Sequence, residues 1–85
     1  MKTVEDIAGN DLTYKQCHDL SFLLGWLEKE GFNAVYFDFC GEDGCYLDAF
    51  NFDSEKHIEI RAKDAKTPLE AVRKAIEQIG NSKDV

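Results

Sequence analysis

The sequence predicts an α+β fold: a three-stranded antiparallel sheet with two helices packed on one face, in the order helix, strand, strand, strand, helix. Two segments carry apolar residues at helical spacing, one on each side of the middle of the chain. Between them lie three short segments rich in aromatic and β-branched residues and separated by polar turns, which is typical of strands. A chain of 85 residues that is 44% hydrophobic fits one domain, residues 1–85.

The first ten residues, MKTVEDIAGN, are mostly polar and offer only Val4 and Ile7 as apolar anchors. We therefore expect residues 1–10 to form a loose N-terminal arm. This segment lacks the apolar stretch of a secretory signal, and no part of the chain approaches the roughly 18 apolar residues that a membrane span needs. We expect a cytoplasmic protein without membrane contact.

The first predicted helix starts near NDLTYKQ and ends at Gly31, a typical C-cap glycine. Three residues can accept hydrogen bonds from the free N–H groups of its first turn, namely Asn10, Asp11 and Thr13. Its apolar stripe consists of Cys17, Leu20, Leu23, Leu24 and Leu27. At about 100° per residue, Phe22 and Trp26 fall on nearly the opposite side. We therefore expect Trp26 to be partly exposed or to lie in an interface.

Two segments, FNAVYFDFC and CYLDAFNF, are predicted to form a hairpin closed by the turn Gly41-Glu42-Asp43-Gly44. The segment HIEIRA alternates apolar and polar residues and is the third predicted strand. In the last helix, Thr67 is placed as N-cap, with Pro68 first and Glu70 third in the helix. Its apolar stripe consists of Leu69, Val72, Ala75, Ile76 and Ile79. Gly80 is predicted to end it, leaving residues 81–85 as a frayed tail.

An even hairpin loop pairs Cys40 with Cys45 and Val35 with Phe50, and this register predicts which side chains face the core. The predicted core face carries Val35, Phe37, Phe39, Phe50, Phe52, Ile58 and Ile60, with Tyr46 and Asp48 as its polar members. The opposite face carries Ala34, Tyr36, Asp38, Cys40, Cys45, Leu47, Ala49, Asn51, His57, Glu59 and Arg61. That face is either a contact surface or an ordinary surface with scattered apolar groups.

An odd number of cysteines argues against a disulfide framework, so we expect Cys17, Cys40 and Cys45 to be free thiols, with a reversible disulfide between Cys40 and Cys45 as an alternative. Zinc binding by these cysteines and His18 is disfavoured, because the side chains at positions 17 and 18 of a helix diverge by about 100°. No calcium-loop, nucleophile or phosphate-binding motif is found in the sequence. We predict no metal, no cofactor, no catalytic residues and no enzymatic activity.

Charge is unevenly distributed along a chain of net charge −7. Between Lys29 and Lys56 there is no basic residue, and the acids of this interval are Glu30, Asp38, Glu42, Asp43, Asp48, Asp53 and Glu55. Such a balance disfavours direct binding of nucleic acid and favours a protein partner with a basic surface. The predicted partner-binding residues are Asp38, Glu42, Asp43, Asp53, Glu55, Phe22, Trp26 and Tyr36.

The predicted order of elements resembles the double-stranded-RNA-binding domain, which is also helix, three strands, helix. In that family, lysines at the start of the second helix bind phosphate, and the loop between the first two strands enters the minor groove. Lys63 and Lys66 lie near the first of these positions, whereas Glu42 and Asp43 of the hairpin turn would be repelled by phosphate. The resemblance implies a shared topology and gives RNA binding as the alternative function.

The segment AKTPLEAVRKAIEQIG, residues 65–80, is similar to the C-terminal helix of many small phage and prophage proteins. This resemblance implies an accessory protein of a mobile element, a group that includes anti-CRISPR proteins and acidic DNA mimics. We therefore predict a small acidic protein-binding module, a phage-derived inhibitor of a host nucleic-acid-binding or defence protein. A structural or dimerisation module without ligand is a further alternative, and a homodimer is compatible with either.

Overall fold

The computed structural model describes residues 1–82, leaving aside the side chains of residues 39 and 40, and it confirms the α+β class. The helices are α1 (Val4–Ala8), α2 (Leu20–Lys29) and α3 (Pro68–Ser82), with 3₁₀ turns at Gln16–His18 and Ala62–Asp64. The strands β1 (Ala34–Gly41), β2 (Gly44–Phe50) and β3 (His57–Ile60) form one antiparallel sheet in the order β1-β2-β3. Of the predicted tail, residues 81 and 82 belong to α3, and residues 83–85 lie outside the described residues.

Residues 1–10, predicted as a loose arm, contain helix α1 instead. A capping box starts this helix: the Thr3 hydroxyl accepts from the Asp6 N–H at 3.3 Å, and the Asp6 carboxylate accepts from the Thr3 N–H at 3.0 Å. Val4 and Ala8 are fully buried. Five residues are too few to show a helical period, so the sequence pattern did not reveal this element.

The side chain of Arg73 links α3 to the N-terminal segment. Its Nη2 lies 2.7 Å from Oε1 of Glu5, and its Nη1 donates to the carbonyl oxygen of Cys17 at 2.6 Å. Partial burial raises the pKa of Glu5, but hydrogen bonds from Arg73 and the backbone, with the charges of Arg73 and His18, outweigh it and make the net shift downward. This contact fixes α1 and the first 3₁₀ turn against α3.

Helix α2 begins later than predicted. Its N-cap is Asp19, whose Oδ1 accepts from the N–H groups of Ser21 at 3.0 Å and Phe22 at 3.3 Å. Of the predicted caps, Thr13 precedes the 3₁₀ turn, and its hydroxyl accepts from the N–H of Gln16 at 3.2 Å. The chain is broken into two short helices here because Asp19 takes an extended backbone conformation.

Gly31 ends α2 as predicted. Its φ of 101° lies in the left-handed region, which favours glycine. The Gly31 N–H donates to the Glu28 carbonyl and the Phe32 N–H to the Leu27 carbonyl, both at 3.0 Å, which is the Schellman arrangement. Phe32 and Leu27 are both buried, so the chain leaving the helix is packed against it.

The register of the hairpin differs from the prediction by one residue, and this difference reverses the faces of β2. Val35 pairs with Ala49 and Phe37 with Leu47, while Gly41 pairs with Gly44. An irregularity between Asp38 and Gly41 absorbs the extra residue in β1. Val35 and Phe37 therefore share a face with Ala49 and Leu47 of β2, which the sequence predicts on the opposite face.

The core lies between this face of the sheet and the helices. Its fully buried strand residues are Cys45, Leu47 and Ala49, joined by Ile60 at 2% exposure. The helices contribute Val4, Ala8, Leu23, Trp26, Leu27, Ala71, Val72, Ala75, Ile76 and Ile79. Of the predicted core residues, Leu24, Val35, Phe37 and Ile58 are half-buried against it, Phe50 and Phe52 are not on this face, and the side chain of residue 39 lies outside the described residues.

Helix α3 starts as predicted and ends later. The Glu70 N–H donates to the Thr67 hydroxyl at 3.1 Å, whereas the Glu70 carboxylate accepts from the N–H of Lys66 at 2.8 Å. Gly80 does not end the helix. It is buried inside the last turns and faces α1. A Cβ at Gly80 would lie 2.3 Å from Cδ1 of Ile7, so the glycine allows the two helices to approach.

Candidate functional site

Helices α2 and α3 pack on the core face, so within the described residues the other face of the sheet is uncovered. We call this surface the open sheet face; it consists of Tyr36, Asp38, Tyr46, Asp48, Phe50, His57 and Glu59, with Phe52 at its margin. Cross-strand pairing places Asp48 between Tyr36 and Glu59. The residues of β1 and β3 on this face are therefore the predicted ones. The residues of β2 on it were predicted to face the core, so the prediction is wrong for that strand.

An aromatic cluster occupies one end of the open sheet face. The ring of Phe50 stacks on Tyr36 with centroids 5.5 Å apart, and Phe52 meets Phe50 edge-on at 4.8 Å. Tyr36 is 54% exposed and Phe52 is 69% exposed. Large aromatic side chains that remain this exposed beside one another are typical of surfaces that bind other molecules.

A cluster of polar side chains adjoins the aromatic rings. Nε2 of His57 lies 2.9 Å from Oδ1 of Asp48, and the edge of the imidazole faces the Phe50 ring, with centroids 6.2 Å apart. A hydrogen bond with Glu59, reinforced by desolvation and by the charges of Asp48 and Glu59, raises the pKa of Tyr46 to about 12. These contacts hold the carboxylates of neighbouring strands in defined positions.

The predicted acidic residues are separated by the fold. Glu42 and Asp43 are exposed at the tip of the hairpin, as predicted. Asp53 and Glu55 are exposed in the loop between β2 and β3, at the other end of β2. The seven residues of β2 span roughly 20 Å, so the two acidic pairs do not form one continuous site.

Asn51 organises the loop that carries Asp53 and Glu55. Its Oδ1 accepts from the N–H groups of Asp53 at 2.8 Å and Ser54 at 3.0 Å. Its Nδ2 donates to the carbonyl oxygen of Gly31, which ties the loop to the end of α2. Glu55 has a φ of 60°, an unusual conformation for a residue other than glycine.

The two aromatic residues of α2 have different environments. Phe22 is 46% exposed, but it belongs to the helical layer and not to the open sheet face. Trp26 is only 4% exposed, and its indole N–H donates to Oδ2 of Asp11 at 3.2 Å. Trp26 is therefore buried within the chain itself, and the prediction that it is partly exposed is wrong. The segment between α1 and α2 brings Asp11 to the tryptophan, and the amphipathic pattern of α2 alone contains no signal of that contact.

The cysteines also differ from the expectation. Cys17 is a free thiol, as predicted, and burial raises its pKa. Cys45 is fully buried and disulfide-bonded, so the prediction of a free thiol there is wrong. The side chain of Cys40 lies outside the described residues.

No helix within residues 1–82 has both the length and the apolar character needed to cross a membrane. Comparisons with protein-family models, with curated proteins and with solved structures give no match. The fold and the site define a small α+β domain with one face of its sheet open, on which exposed aromatic rings lie beside carboxylates.

Proposed function

We propose that the chain is a non-enzymatic protein-binding module that binds a partner with a basic surface through the open sheet face. The observation that carries this proposal is the exposed aromatic cluster of Tyr36, Phe50 and Phe52 directly beside the carboxylates of Asp48 and Glu59. Aromatic rings bury much apolar area with few rotatable bonds, so they are frequent anchors of interfaces. Carboxylates next to them attract and orient a cationic partner.

Arginine is the partner side chain that this chemistry fits best. Its guanidinium group forms bidentate hydrogen bonds with carboxylates such as Asp38 and Glu59, and its flat face stacks on rings such as Tyr36 and Phe52. Lysine matches the charge but not the planar geometry. The proposed module therefore favours a partner surface rich in arginine.

A narrower form of the proposal is an inhibitor that occupies the basic surface of a nucleic-acid-binding or defence protein, of the anti-CRISPR or DNA-mimic type. Its support is the net charge of −7, and the expectation of a phage or prophage origin comes from the sequence pattern of residues 65–80 alone. For the RNA-binding alternative, Lys63 and Lys66 are exposed, but the hairpin tip presents Glu42 and Asp43 to the phosphates. The charge at the tip therefore favours the protein partner.

An arginine-rich peptide serves as a defined probe in a titration followed by amide NMR. The expected result is a set of shifts on β1, β2 and β3 that weakens as salt rises. Replacing Tyr36 and Phe52 by serine should abolish these shifts, whereas the matched control Phe22→Ser, which also removes an exposed aromatic ring, should leave them unchanged. Shifts that map to α2, or equal loss in the Phe22→Ser control, would exclude the open sheet face.

Charge variants separate the open sheet face from the hairpin tip. We expect Asp38→Asn with Glu59→Gln to weaken peptide binding more than Glu42→Lys with Asp43→Lys, because only the first pair adjoins the aromatic cluster. A larger effect of the Glu42→Lys and Asp43→Lys variant would indicate that the peptide binds at the hairpin tip. A gel shift with double-stranded RNA tests the alternative directly, and retarded RNA would favour the RNA-binding domain.

A further inference from the structure

We propose that Asp48, His57 and Glu59 form a binding site for a divalent transition-metal ion, and that Zn²⁺ is the ion that these ligands fit best. One ligand atom from each of the three side chains lies within 4.8 Å of the other two. In the described part of the chain, this is the one group of three or more potential metal ligands that meets this spacing. The inference concerns the isolated chain and does not depend on the proposed protein partner.

The backbone positions the three ligands without help from a metal. Asp48 and Glu59 are direct cross-strand partners on β2 and β3, and His57 lies two residues before Glu59, so all three project from the same face. Strand β2 is the central strand and is paired on both sides. Metal binding therefore requires no change in the backbone, only side-chain rotation and release to solvent of the proton in the hydrogen bond between His57 and Asp48.

The distances suit a small ion. Zinc bonds of about 2.0 to 2.2 Å to nitrogen and oxygen ligands place the ligand atoms of a tetrahedral site about 3.3 to 3.6 Å apart. Nε2 of His57 and Oδ1 of Asp48 are 2.9 Å apart, at hydrogen-bonding distance, so they need to separate by only about 0.5 Å to accommodate the ion. Glu59 is exposed, and its long side chain can rotate to bring its carboxylate to the same point.

Neighbouring side chains support two of the ligands. The Phe50 and His57 rings meet edge-on with centroids 6.2 Å apart, and Glu59 interacts with Tyr46 closely enough to raise the pKa of the phenol. Partners of this kind orient metal ligands and commonly contribute to metal affinity. They also distinguish this cluster from the isolated carboxylates of the hairpin tip.

The donor types select the class of ion. Mg²⁺ and Ca²⁺ prefer all-oxygen sites, whereas an imidazole nitrogen suits Zn²⁺ and its neighbours in the transition series. Two carboxylates balance the two positive charges of the ion. Three protein ligands leave one coordination position facing solvent, where water or a side chain of another molecule can bind.

Isothermal titration calorimetry with Zn²⁺ alone tests the proposal. The intact chain should bind one Zn²⁺, and Mg²⁺ should give no comparable heat. His57→Gln should weaken Zn²⁺ binding at least tenfold. The matched control is His18→Gln, because His18 also lies near a carboxylate, at 3.5 Å from Glu5, but belongs to no group of three ligands among the described residues. Unchanged binding in His57→Gln, or absence of binding in the intact chain, would overturn the proposal.

A second measurement needs no variant, so a folding defect cannot confuse it. The chain contains two histidines, His18 and His57, whose imidazole carbon-bound protons give separate NMR signals. Zn²⁺ should shift the signals of His57 and leave those of His18 in place. Equal shifts of both histidines would indicate adventitious surface binding and would also overturn the proposal.

Discussion

At the scale of single residues, the contact between Tyr46 and Glu59 shows how the open sheet face is ordered. The phenol remains protonated over a wide pH range because Glu59 is its hydrogen-bond partner and carries a negative charge. The pKa of Tyr46 is raised from the ordinary value of 10.0 for a tyrosine to about 12. The contribution of protonated Tyr46 to the stability of the folded chain is therefore complete below pH 10, and it is lost as the pH rises through about 12.

The first prediction is that Glu59→Gln lowers the pKa of Tyr46, because the charge of the carboxylate is removed. Absorbance of the phenolate, followed against pH in a chain with Tyr14→Phe and Tyr36→Phe, isolates the titration of Tyr46. Asp48→Asn is the matched control and should lower the pKa less, because Asp48 acts on Tyr46 through charge alone. An equal effect of the two variants would contradict the hydrogen bond.

At the scale of elements, two helical glycines have opposite roles. Gly80 lies where α3 contacts α1, and an added Cβ would meet Cδ1, Cγ1 and Cγ2 of Ile7 at 2.3, 2.4 and 3.0 Å. Gly25 lies on the exposed side of α2 with nothing within 4 Å of an added Cβ. Substitution by alanine therefore reports helix propensity alone at Gly25, and helix propensity together with a packing clash at Gly80.

We predict that Gly25→Ala stabilises the protein by up to about 1 kcal/mol, the usual advantage of alanine inside a helix. Gly80→Ala gains the same propensity but displaces Ile7 and should be destabilising overall. Urea denaturation of both variants gives the comparison. Adding Ile7→Ala to Gly80→Ala should recover part of the loss, and a purely additive double mutant would contradict the contact.

The elements that could be predicted from sequence are those fixed by local interactions. Thr67 caps α3 through its hydroxyl, and Gly31 ends α2 through its positive φ, so both features depend on neighbouring residues only. Helix α1 and the burial of Trp26 depend instead on contacts with distant parts of the chain, through Ile7 with Gly80 and Asp11 with the indole. Such contacts leave no period in the sequence.

The prediction of the candidate site was limited by the same physics. Tyr36, Asp38, His57 and Glu59 were assigned to the open face because strand alternation is a local property. Tyr46, Asp48 and Phe50 were assigned to the core face, because a one-residue slip moves every side chain of a strand to the other face. The irregularity between Asp38 and Gly41 that sets the register is not marked in the sequence.

At the scale of the whole molecule, the register of β2 determines both the core and the open sheet face, so it is the feature most worth testing. Leu47 is fully buried, whereas Phe50 lies on the open face and is half-buried by Tyr36 and Phe52. The register predicted from an even loop would exchange their roles. Two truncations in the same strand therefore distinguish the arrangements.

We predict that Leu47→Ala lowers the free energy of unfolding by about 2 to 5 kcal/mol, because it leaves a cavity in the core. Such a loss is a large part of the total stability of a domain of this size. Phe50→Ala should cost less, about 1 to 2 kcal/mol, because it removes an aromatic contact at a partly solvated surface. Urea denaturation followed by circular dichroism measures both values. A larger loss for Phe50→Ala than for Leu47→Ala would support the register predicted from an even loop. In that register the open sheet face has a different composition, so the proposed interaction would lose its basis.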